Sequence, residues 1–380
     1  MTTDRSKQKV ILCFSQVVST PIYDAIVQIY SEMEIDLICV YFGSESNPVR
    51  NFAKSLSLQT FQYGTRSKLD IFRAFLKFMA LCRSVSPEVV LCFGQTATLL
   101  SFVGSLLASS AKRVYFRQHT SSNKSGRVSR GAIYDAMSNL LADKVIVSNI
   151  NTYDYMVNAE GLLPEKLAIC QFGFDHKYFA SPNEVSVSGL KNKYKLTEAD
   201  FIVGVVSRIS PMKGLEYTFR AYAEFLCSFP NSILMLANAM DASAFLLEPL
   251  TSMVPRENLR ILDRETDMST VYACMDVLIH VPISRTVESY GLVYVEAFLS
   301  GIPTIITLSG VANEIAIDHE NCLIVDYENS EEIYEALVDL RTSAKLRERL
   351  GSTAAKAVEH LTLTEMQLQF KTLLSALLKA

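Results

Sequence analysis

The sequence predicts an α/β protein with two doubly wound parallel-sheet domains, and three observations lead to this prediction. Short β-rich apolar runs recur along the 380 residues, with longer helical patterns between most of them. This alternation favours a parallel sheet with helices on both faces. A small, polar segment over residues 179–189 separates the runs into two groups. One hydrophobic core seldom grows beyond about 250 to 300 residues, so the length also indicates two domains.

The predicted strands fall into an earlier and a later group. The earlier group is Val10–Phe14, Ile35–Phe42, Val89–Phe93, Arg113–Phe116, Lys144–Ser148 and Leu167–Phe172, with helical patterns at Tyr23–Met33, Leu69–Cys82 and Ile133–Leu141. The later group is Ile202–Val206, Ile233–Ala237, Leu259–Leu262, Asp276–Val281, Thr304–Thr307 and Cys322–Val325. We expect an N-terminal domain over residues 1–185, a C-terminal domain over 190–360, and a linker without helical period around 179–189. Residues 361–380 form a predicted helix that could pack back on the N-terminal domain.

Composition excludes several classes of protein. No run of about 18 apolar residues predicts a membrane-spanning helix, and the polar N-terminus lacks a signal-peptide pattern, so we expect a cytoplasmic protein. The eight cysteines show no Cys-x-x-Cys spacing and are expected to be buried, reduced thiols. Neither His-x-x-x-His nor Asp-x-Asp occurs, which disfavours a dedicated metal site.

The net charge of −4 is unevenly divided along the chain. Residues 1–180 carry 19 Lys and Arg against 14 Asp and Glu, whereas the remainder carries 17 against 26. The N-terminal half is therefore the one suited to anionic partners.

Candidate ligand-binding residues follow three predicted strands of the second half. Ligands of open α/β sheets bind beyond the carboxyl ends of the strands. The loops there contain Arg208 and Lys213, then Arg285 and Glu288, then Ser309, Gly310 and Glu314. Two cations beside a helix start form an anion site suited to a diphosphate, although a pair of solvated surface charges is the alternative. Only one glycine, Gly214, lies in this turn, so the dinucleotide fingerprint of dehydrogenases is absent.

Glu288 and Glu296 bracket the start of the next predicted helix. Glu296 falls about five residues into that helix, roughly 7 Å along its axis, so the two carboxylates should contact different parts of one ligand. A glycoside hydrolase places its acid and nucleophile about 5 to 9.5 Å apart, and this alternative stays open. The nearby cations fit an anionic donor better, so we rank transfer above hydrolysis. Solvated glutamates are the remaining alternative.

The first half offers a histidine and a group of cations. His119 follows a predicted strand and is a candidate for orienting donor or acceptor, although a lone histidine is more often structural. Arg117 stands two residues before it, and three more cations follow in a Ser/Gly-rich stretch, namely Lys124, Arg127 and Arg130. They could clamp an anionic acceptor, or form a solvated loop.

A segment over residues 66–79 mixes cations with three phenylalanines. As a helix it could lie on an anionic bilayer with its basic side toward the headgroups. Packing in the domain core is the preferred interpretation, because any crossover helix must bury an apolar face.

Several motifs occur together in a characteristic order. They are Val206–Gly214, Glu288–Ala297, Ser300–Pro303, Ser309–Ile315 and Asn321–Val325, preceded by Ala142–Ser148 and Phe172–Phe179. Over residues 142–340 the chain resembles the family-4 retaining glycosyltransferases of the glycosyl transferases group 1 type. The resemblance implies the GT-B fold, in which two Rossmann-like domains face each other across a cleft. It also implies an acceptor-side N-terminal domain and a donor-side C-terminal domain.

The resemblance implies a role for each matching residue. Arg208 and Lys213 would hold the donor diphosphate, Glu288 the donor sugar and Glu296 the ribose. Ser289, Tyr290, Gly291 and Leu292 would line the donor site, and Leu262, Asp263 and Arg264 would lie beside the base. His119 stands where the family often has a histidine. The first turn, Ser15–Pro21, departs from the glycine-rich turn of the family.

We therefore expect a retaining, metal-independent glycosyltransferase that moves a sugar from a UDP- or GDP-sugar to an acceptor hydroxyl. The acceptor would be a saccharide, lipid-linked or other hydroxyl compound of polysaccharide, lipopolysaccharide or glycolipid biosynthesis. The nucleotide sugar is a co-substrate, and neither a cofactor nor a nucleic-acid partner is expected. The protein could work at the inner face of the cytoplasmic membrane. A GT-B nucleotide-sugar epimerase and a non-catalytic nucleotide-sugar-binding homologue are the alternatives.

Overall fold

A computed structural model describes residues 7–15, 21–43, 48–120, 130–238 and 244–379. The chain divides into two compact units. Unit 1 consists of Met1–Gly173 with Leu363–Ala380, and unit 2 of Phe174–Thr362. Each unit contains one parallel sheet with helices between its strands, which confirms the predicted fold class.

Unit 1 has a seven-stranded parallel sheet with the order β3-β2-β1-β4-β5-β6-β7. Its strands are β1 (Gln8–Phe14), β2 (Ile35–Phe42), β3 (Gln59–Tyr63), β4 (Val89–Phe93), β5 (Lys112–Phe116), β6 (Lys144–Val147) and β7 (Leu167–Ile169). Its helices are α1 (Pro21–Ser31), α2 (Pro48–Ser55), α3 (Lys68–Val85), α4 (Gln95–Ala108), α5 (Arg130–Leu141), α6 (Ile150–Asn158) and, from the end of the chain, α16 (Leu363–Lys379).

Helix α16 belongs to the core of unit 1. Its residues Met366, Phe370 and Leu374 recur every four positions, so they lie on one face of the helix, and all three are buried against the sheet. The Phe370 ring stacks on Phe116 of β5, with 6.3 Å between the ring centroids. The ammonium of Lys112 donates to the carbonyl oxygen of Leu377 at 2.7 Å. The last helix therefore completes the first unit.

Unit 2 has a six-stranded parallel sheet with the order β10-β9-β8-β11-β12-β13. Its strands are β8 (Phe201–Val206), β9 (Ser232–Ala237), β10 (Leu259–Ile261), β11 (Val277–His280), β12 (Thr304–Ile306) and β13 (Leu323–Ile324). Its helices are α7 (His176–Ala180), α8 (Glu184–Lys193), α9 (Leu215–Ser228), α10 (Ala244–Thr251), α11 (Met268–Ala273), α12 (Leu292–Leu299), α13 (Ala312–Ile315), α14 (Ser330–Thr342) and α15 (Ala344–Ala357). Because β8, β11 and β12 are neighbours, the loops that follow them share one edge of the sheet.

The structure differs from the sequence prediction in two places. Strand β3 and helix α2 had no predicted counterpart. Strand β3 gives a weak sequence signal because it is a partly exposed edge strand in which Gln and Thr stand among aromatic residues. The segment predicted as a linker contains helix α8 instead. The side chain of Asn183 caps this helix by accepting from the amides of Val185 and Ser186, and Leu190 supplies its buried contact. The units separate after Gly173, ahead of the predicted boundary.

We predict that Phe370→Ala destabilises the protein by about 3–5 kcal/mol, because it removes a fully buried aromatic ring and leaves a cavity. The matched control is Leu368→Ala in the same helix, whose side chain is 59% exposed and whose loss should change stability by less than about 0.5 kcal/mol. Urea unfolding followed by circular dichroism measures both. Equal stabilities of the two variants would contradict the packing of α16 described above.

Candidate functional site

Three side chains meet at the carboxyl edge of the unit 2 sheet. Lys213, from the loop after β8, forms an ion pair with Glu288, from the loop after β11. His280, the last residue of β11, donates from Nε2 to the same carboxylate oxygen, Oε1, at 2.8 Å. The described residues supply no hydrogen bond to the second oxygen, Oε2. Glu288 is therefore held by two donors through one oxygen and can accept a ligand hydroxyl through the other.

The local sequence explains how Lys213 reaches this position. The side chain of Ser210 caps a short turn over Pro211–Lys213 by accepting from the amide of Met212. Gly214 follows with a φ of 67°, and a Cβ there would lie 2.0 Å from the carbonyl oxygen of Val281. Only glycine fits so close an approach in this conformation. The turn can thus lie against the end of β11 and direct Lys213 toward Glu288.

The loop that carries Glu288 is held by the loop after β12. The amide of Glu288 donates to Oγ of Ser309 at 2.9 Å, and this hydroxyl donates to the carbonyl oxygen of Arg285. At Gly310, with a φ of 57°, a Cβ would lie 2.3 Å from the carbonyl oxygen of Tyr290. Ser309 and Gly310 therefore fix the backbone on both sides of Glu288.

Glu288 is an ionised carboxylate in a nearly dry environment. Burial by itself raises the pKa of Glu288, but the hydrogen bond and charge of His280, together with the charge of Lys213, outweigh burial and lower the pKa to about 2. Because the carboxylate is ionised, His280 must donate its Nε2 proton to it. The side chains of Lys213, Glu288 and His280 are only 16%, 12% and 2% exposed, so these interactions are weakly screened by solvent.

Glu296 occupies a different environment. It lies in α12, and its Oε2 accepts a hydrogen bond of 2.8 Å from the hydroxyl of Tyr272 in α11. Burial raises the pKa of Glu296 above its ordinary value, and the Tyr272 hydrogen bond opposes this only in part. No side chain in the described ranges bonds to Oε1. Glu296 thus has an open acceptor oxygen, Oε1. Its ionised form is less favoured than that of Glu288.

The other predicted donor residues of unit 2 differ in exposure and in their contacts. Gly291, with a φ of 88°, precedes α12, and the amide of Tyr294 donates to its carbonyl oxygen, which leaves the amides of Leu292 and Val293 without a partner within the helix. Tyr290 is buried and its ring stacks near Phe174. Arg208 is exposed, and across the described segments its guanidinium makes no ion pair.

The segment predicted beside the base begins with a buried residue. Leu262 is fully buried, whereas Asp263 and Arg264 are exposed. The amide of Asp263 donates to the hydroxyl of Tyr194 at 2.9 Å, and Lys193 pairs with the Asp263 carboxylate at 3.2 Å. These contacts tie the segment to the end of α8.

Unit 1 contains a pocket of about 560 Å³ at the carboxyl ends of β1, β4 and β5. Its lining is Ser15, Gly94, Gln95, Thr96, Thr98, Tyr115, Phe116, Arg117, Gln118, His119, Gly131, Asp135 and Ser138. At Gly94, with a φ of 89°, a Cβ would lie 2.7 Å from Oγ of Ser15. That hydroxyl accepts from the amide of Ala97 in α4. Ser15 therefore connects the first turn to the start of α4, although the rest of the turn, residues 16–20, lies outside the described residues.

The predicted residues Arg117 and His119 both lie at this pocket but differ in exposure. The Arg117 side chain is completely buried between Asp135 and Glu160, whereas the His119 side chain is 32% exposed. Lys124 and Arg127 lie outside the described residues. Arg130 begins α5, and its side chain is likewise outside the description.

Several residues of these sites were not singled out from the sequence. They are Gln95, Asp135 and Glu160 in unit 1 and Tyr272 and His280 in unit 2. A signal existed only for His280, a polar residue at the carboxyl end of an apolar strand. The others lie on helices or loops far along the chain, where nothing in the sequence indicates which pocket they face. A search of the described residues finds no cluster of three His, Cys, Asp or Glu arranged to hold a metal ion.

Most of the second unit matches a known family model. Residues 188–357 match the family model of glycosyl transferases group 1. Alpha-monoglucosyldiacylglycerol synthase from Acholeplasma laidlawii is 23% identical over 216 residues, which cover 55% of this chain and 52% of that protein. The GDP-mannose-dependent monoacylated alpha-(1-6)-phosphatidylinositol monomannoside mannosyltransferase of Corynebacterium glutamicum is 25% identical over 193 residues, 49% of this chain and 50% of that protein. The matches thus span about half the length of these relatives.

Solved structures show the same fold. The crystal structure of Anabaena Alr3699/HepE in complex with UDP and glucose superposes with a TM-score of 0.82 at 18% identity. The match covers 97% of this chain and 100% of the Anabaena chain. The two parallel-sheet units are thus those of the GT-B glycosyltransferase fold. Together with the family match over residues 188–357, this confirms the predicted resemblance to glycosyl transferases of group 1.

Proposed function

We propose that the protein is a retaining glycosyltransferase that uses a nucleotide diphosphate sugar and needs neither a bound metal nor a cofactor. The observation that carries the proposal is the Lys213–Glu288–His280 group at the carboxyl edge of the family-matched unit. It combines a cation for a leaving diphosphate with a fixed carboxylate oxygen for a sugar hydroxyl. The names of relatives support glycosyl transfer in general, and these residues supply a mechanism for it.

The leaving diphosphate would be stabilised by cations and backbone amides. Lys213 keeps free N–H donors while it pairs with Glu288, because an ammonium has three of them. Exposed Arg208 is available to a second phosphate oxygen, and Gly214 precedes α9, whose first amides can also donate to an anion. As charge develops on the diphosphate, such preorganised donors stabilise the transition state.

Glu288 would select and orient the transferred sugar. With Oε1 held by Lys213 and His280, Oε2 can accept only from a donor placed in one direction, which favours one hydroxyl geometry. A carboxylate so engaged is a poor covalent nucleophile. We therefore favour attack by the acceptor on the same face of the sugar that the diphosphate leaves, with the departing phosphate oxygen accepting the acceptor's proton.

The acceptor class is proposed to be lipid-linked. The two relatives compared above are named for a glucosyldiacylglycerol and a phosphatidylinositol mannoside. Helix α3 gives independent support, because it has two apolar faces. Ala74, Phe78 and Leu81 are buried in unit 1, whereas Leu69 and Phe72 are 56% and 57% exposed.

The exposed face of α3 fits an anionic bilayer. At about 100° per residue, Leu69, Phe72 and Leu76 fall within roughly 60° of arc, opposite the buried face. Three exposed cations flank this stripe, namely Lys68 on one side and Arg73 and Lys77 on the other. No helix in the described ranges is long and apolar enough to cross a membrane. We propose peripheral binding, with the stripe among the lipid headgroups and the cations on anionic lipids.

We predict that a thermal-shift panel of UDP-, GDP-, ADP- and dTDP-sugars identifies one stabilising donor, because a ligand of the native state raises stability by mass action.

With that donor, Lys213→Ala should lower kcat/KM on the order of 100- to 1000-fold, about 3–4 kcal/mol of transition-state stabilisation. The matched control, Lys191→Ala, breaks the Lys191–Glu198 ion pair elsewhere in unit 2 and should leave turnover unchanged. Unchanged turnover in Lys213→Ala would overturn the donor-site assignment. Product formation without an acceptor would indicate an epimerase or hydrolase.

We predict that donor affinity rises with pH through the raised pKa of Glu296, because its ionised form accepts ribose hydroxyls better than its protonated form. Calorimetry with the intact nucleotide sugar measures this, since its diphosphate does not titrate near neutral pH. At the upper end of the pH range, Glu296→Gln should bind the donor roughly 10-fold more weakly than the native protein. Its donor affinity should also no longer depend on pH. Glu288→Gln should keep the slope but lose turnover, since Glu288 with its pKa of about 2 stays ionised throughout. Identical effects of the two variants on binding and turnover would contradict this division.

We predict that charge reversal of Lys68, Arg73 and Lys77 to Glu abolishes binding to vesicles that contain anionic phospholipid, since each basic residue contributes about 1 kcal/mol at such a surface. Reversal of Lys177, Lys345 and Lys356, three exposed lysines of unit 2, changes the net charge equally and should leave binding intact. Sedimentation with sucrose-loaded vesicles measures both. Binding that survives the first triple substitution would exclude the α3 surface.

A further inference from the structure

The pocket of unit 1 is built around a buried cluster of charges. Arg117 follows β5, and its guanidinium lies against Asp135 of α5, 3.1 Å away, and against Glu160, which follows α6. Its Nε donates to the carbonyl oxygen of His119 at 2.6 Å. The side chains of Arg117, Asp135 and Glu160 are 0%, 6% and 15% exposed. Completely buried arginines are rare and require paired carboxylates of this kind.

The cluster holds the partly exposed imidazole ring of His119. His119 Nε2 lies 2.8 Å from Oδ2 of Asp135, and the side-chain amide of Gln95 lies 3.1 Å from the other oxygen, Oδ1. Glu160 receives a second donor from Asn139 at 2.7 Å. The hydroxyl of Tyr115 in turn donates to Asn139. Compared with the side chains of Arg117, Asp135 and Glu160, that of His119 is the most exposed, and it lines the pocket.

The charges of the cluster determine how His119 is held. Burial raises the pKa of Asp135, but the hydrogen bond from His119 and the charge of Arg117 outweigh it, so its pKa lies below the ordinary value. Asp135 is thus a carboxylate and cannot donate, so the neutral imidazole must carry its proton on Nε2. Nδ1 is then an acceptor, and no described residue bonds to it. Two carboxylates against one guanidinium also leave one negative charge in excess, which further favours a donating Nε2.

We propose that Asp135 is a positioning residue that fixes the Nε2–H tautomer of His119, so that Nδ1 accepts a hydrogen bond from a hydroxyl of the acceptor in the unit 1 pocket. Arg117 and Glu160 lie beneath this pair and keep Asp135 ionised and in place. In this proposal Arg117 acts through Asp135, in place of the predicted contact with an anionic acceptor. The identity of the hydroxyl compound as acceptor rests on the proposed glycosyl transfer, whereas the tautomer does not.

Selective ¹⁵N labelling of histidine tests the tautomer without any assay of activity. Two-bond ¹H–¹⁵N spectra at a pH where the ring is neutral distinguish Nε2–H from Nδ1–H, and His119→Gln assigns the signal among the five histidines. We expect Nε2–H in the native protein and a mixture in Asp135→Asn, because an amide can either donate or accept. A native Nδ1–H tautomer, or one unchanged in Asp135→Asn, would overturn the proposal.

A double-substitution cycle tests the coupling. Asp135→Asn and His119→Gln should each lower kcat/KM for the acceptor by about 10- to 100-fold, the range typical when an orienting partner is lost. The double variant should be no worse than the more impaired single variant, since both changes disable the same hydrogen bond. Asp135→Glu, which keeps a carboxylate, should retain part of the activity. Effects that multiply would show independent roles and refute positioning.

The matched control is Asp143→Asn, which weakens another aspartate–arginine pair of unit 1, with Arg113, outside the pocket. Its turnover should equal that of the native protein. Donor binding by calorimetry should be unchanged in all these variants, since the proposal assigns His119 to the acceptor and not to the donor. If the native protein transfers no sugar from any donor, the proposed function fails, and the tautomer measurement still decides the role of Asp135.

Discussion

Parallel strands end on one edge of their sheet, and this constraint decides where each unit can carry chemistry. In both sheets the strand order reverses, between β1 and β4 and between β8 and β11, and loops separate there to leave room for a ligand. Gly94 and Gly214 have the same function in the two units. Each has a positive φ, precedes a helix, and allows a loop to approach a neighbouring chain segment more closely than any Cβ would permit.

The buried charges follow from the same geometry. Side chains that point into these edges lose solvent, and an unpaired charge there would be strongly unfavourable. Glu288 is compensated by Lys213 and His280, and Arg117 by Asp135 and Glu160. In each cluster the compensating bonds also restrict side-chain rotation. They leave one acceptor atom in a defined direction, Oε2 of Glu288 in unit 2 and Nδ1 of His119 in unit 1. Stability and preorganisation therefore have a common origin in these two clusters.

The sequence predicted the elements that are buried and regular, and it failed where tertiary context dominates. Strands such as Ile35–Phe42 and Val89–Phe93 were placed at their observed bounds because both faces are buried and their residues are almost all apolar. Edge strand β3 lacks that signal. Lys213 and Glu288 could be selected because a strand, a turn and a helix start bring such residues to one edge of the sheet. Asp135 and Glu160 reach Arg117 from separate elements, and no local pattern records such a contact.

The two glutamates of unit 2 are distinguished by the neighbours that they bind. Glu288 accepts from the β8 loop and from β11, whereas Glu296 accepts from Tyr272 of α11, the helix that follows β10 and the segment predicted beside the base. An acid and a nucleophile of a hydrolase must face a single bond from its two sides. These carboxylates instead accept from separate elements of the sheet edge, and we propose that their open oxygens serve different stretches of an extended ligand. A nucleotide sugar, with a ribose at one end and a hexose at the other, has that form, and a glycosidic bond awaiting hydrolysis does not.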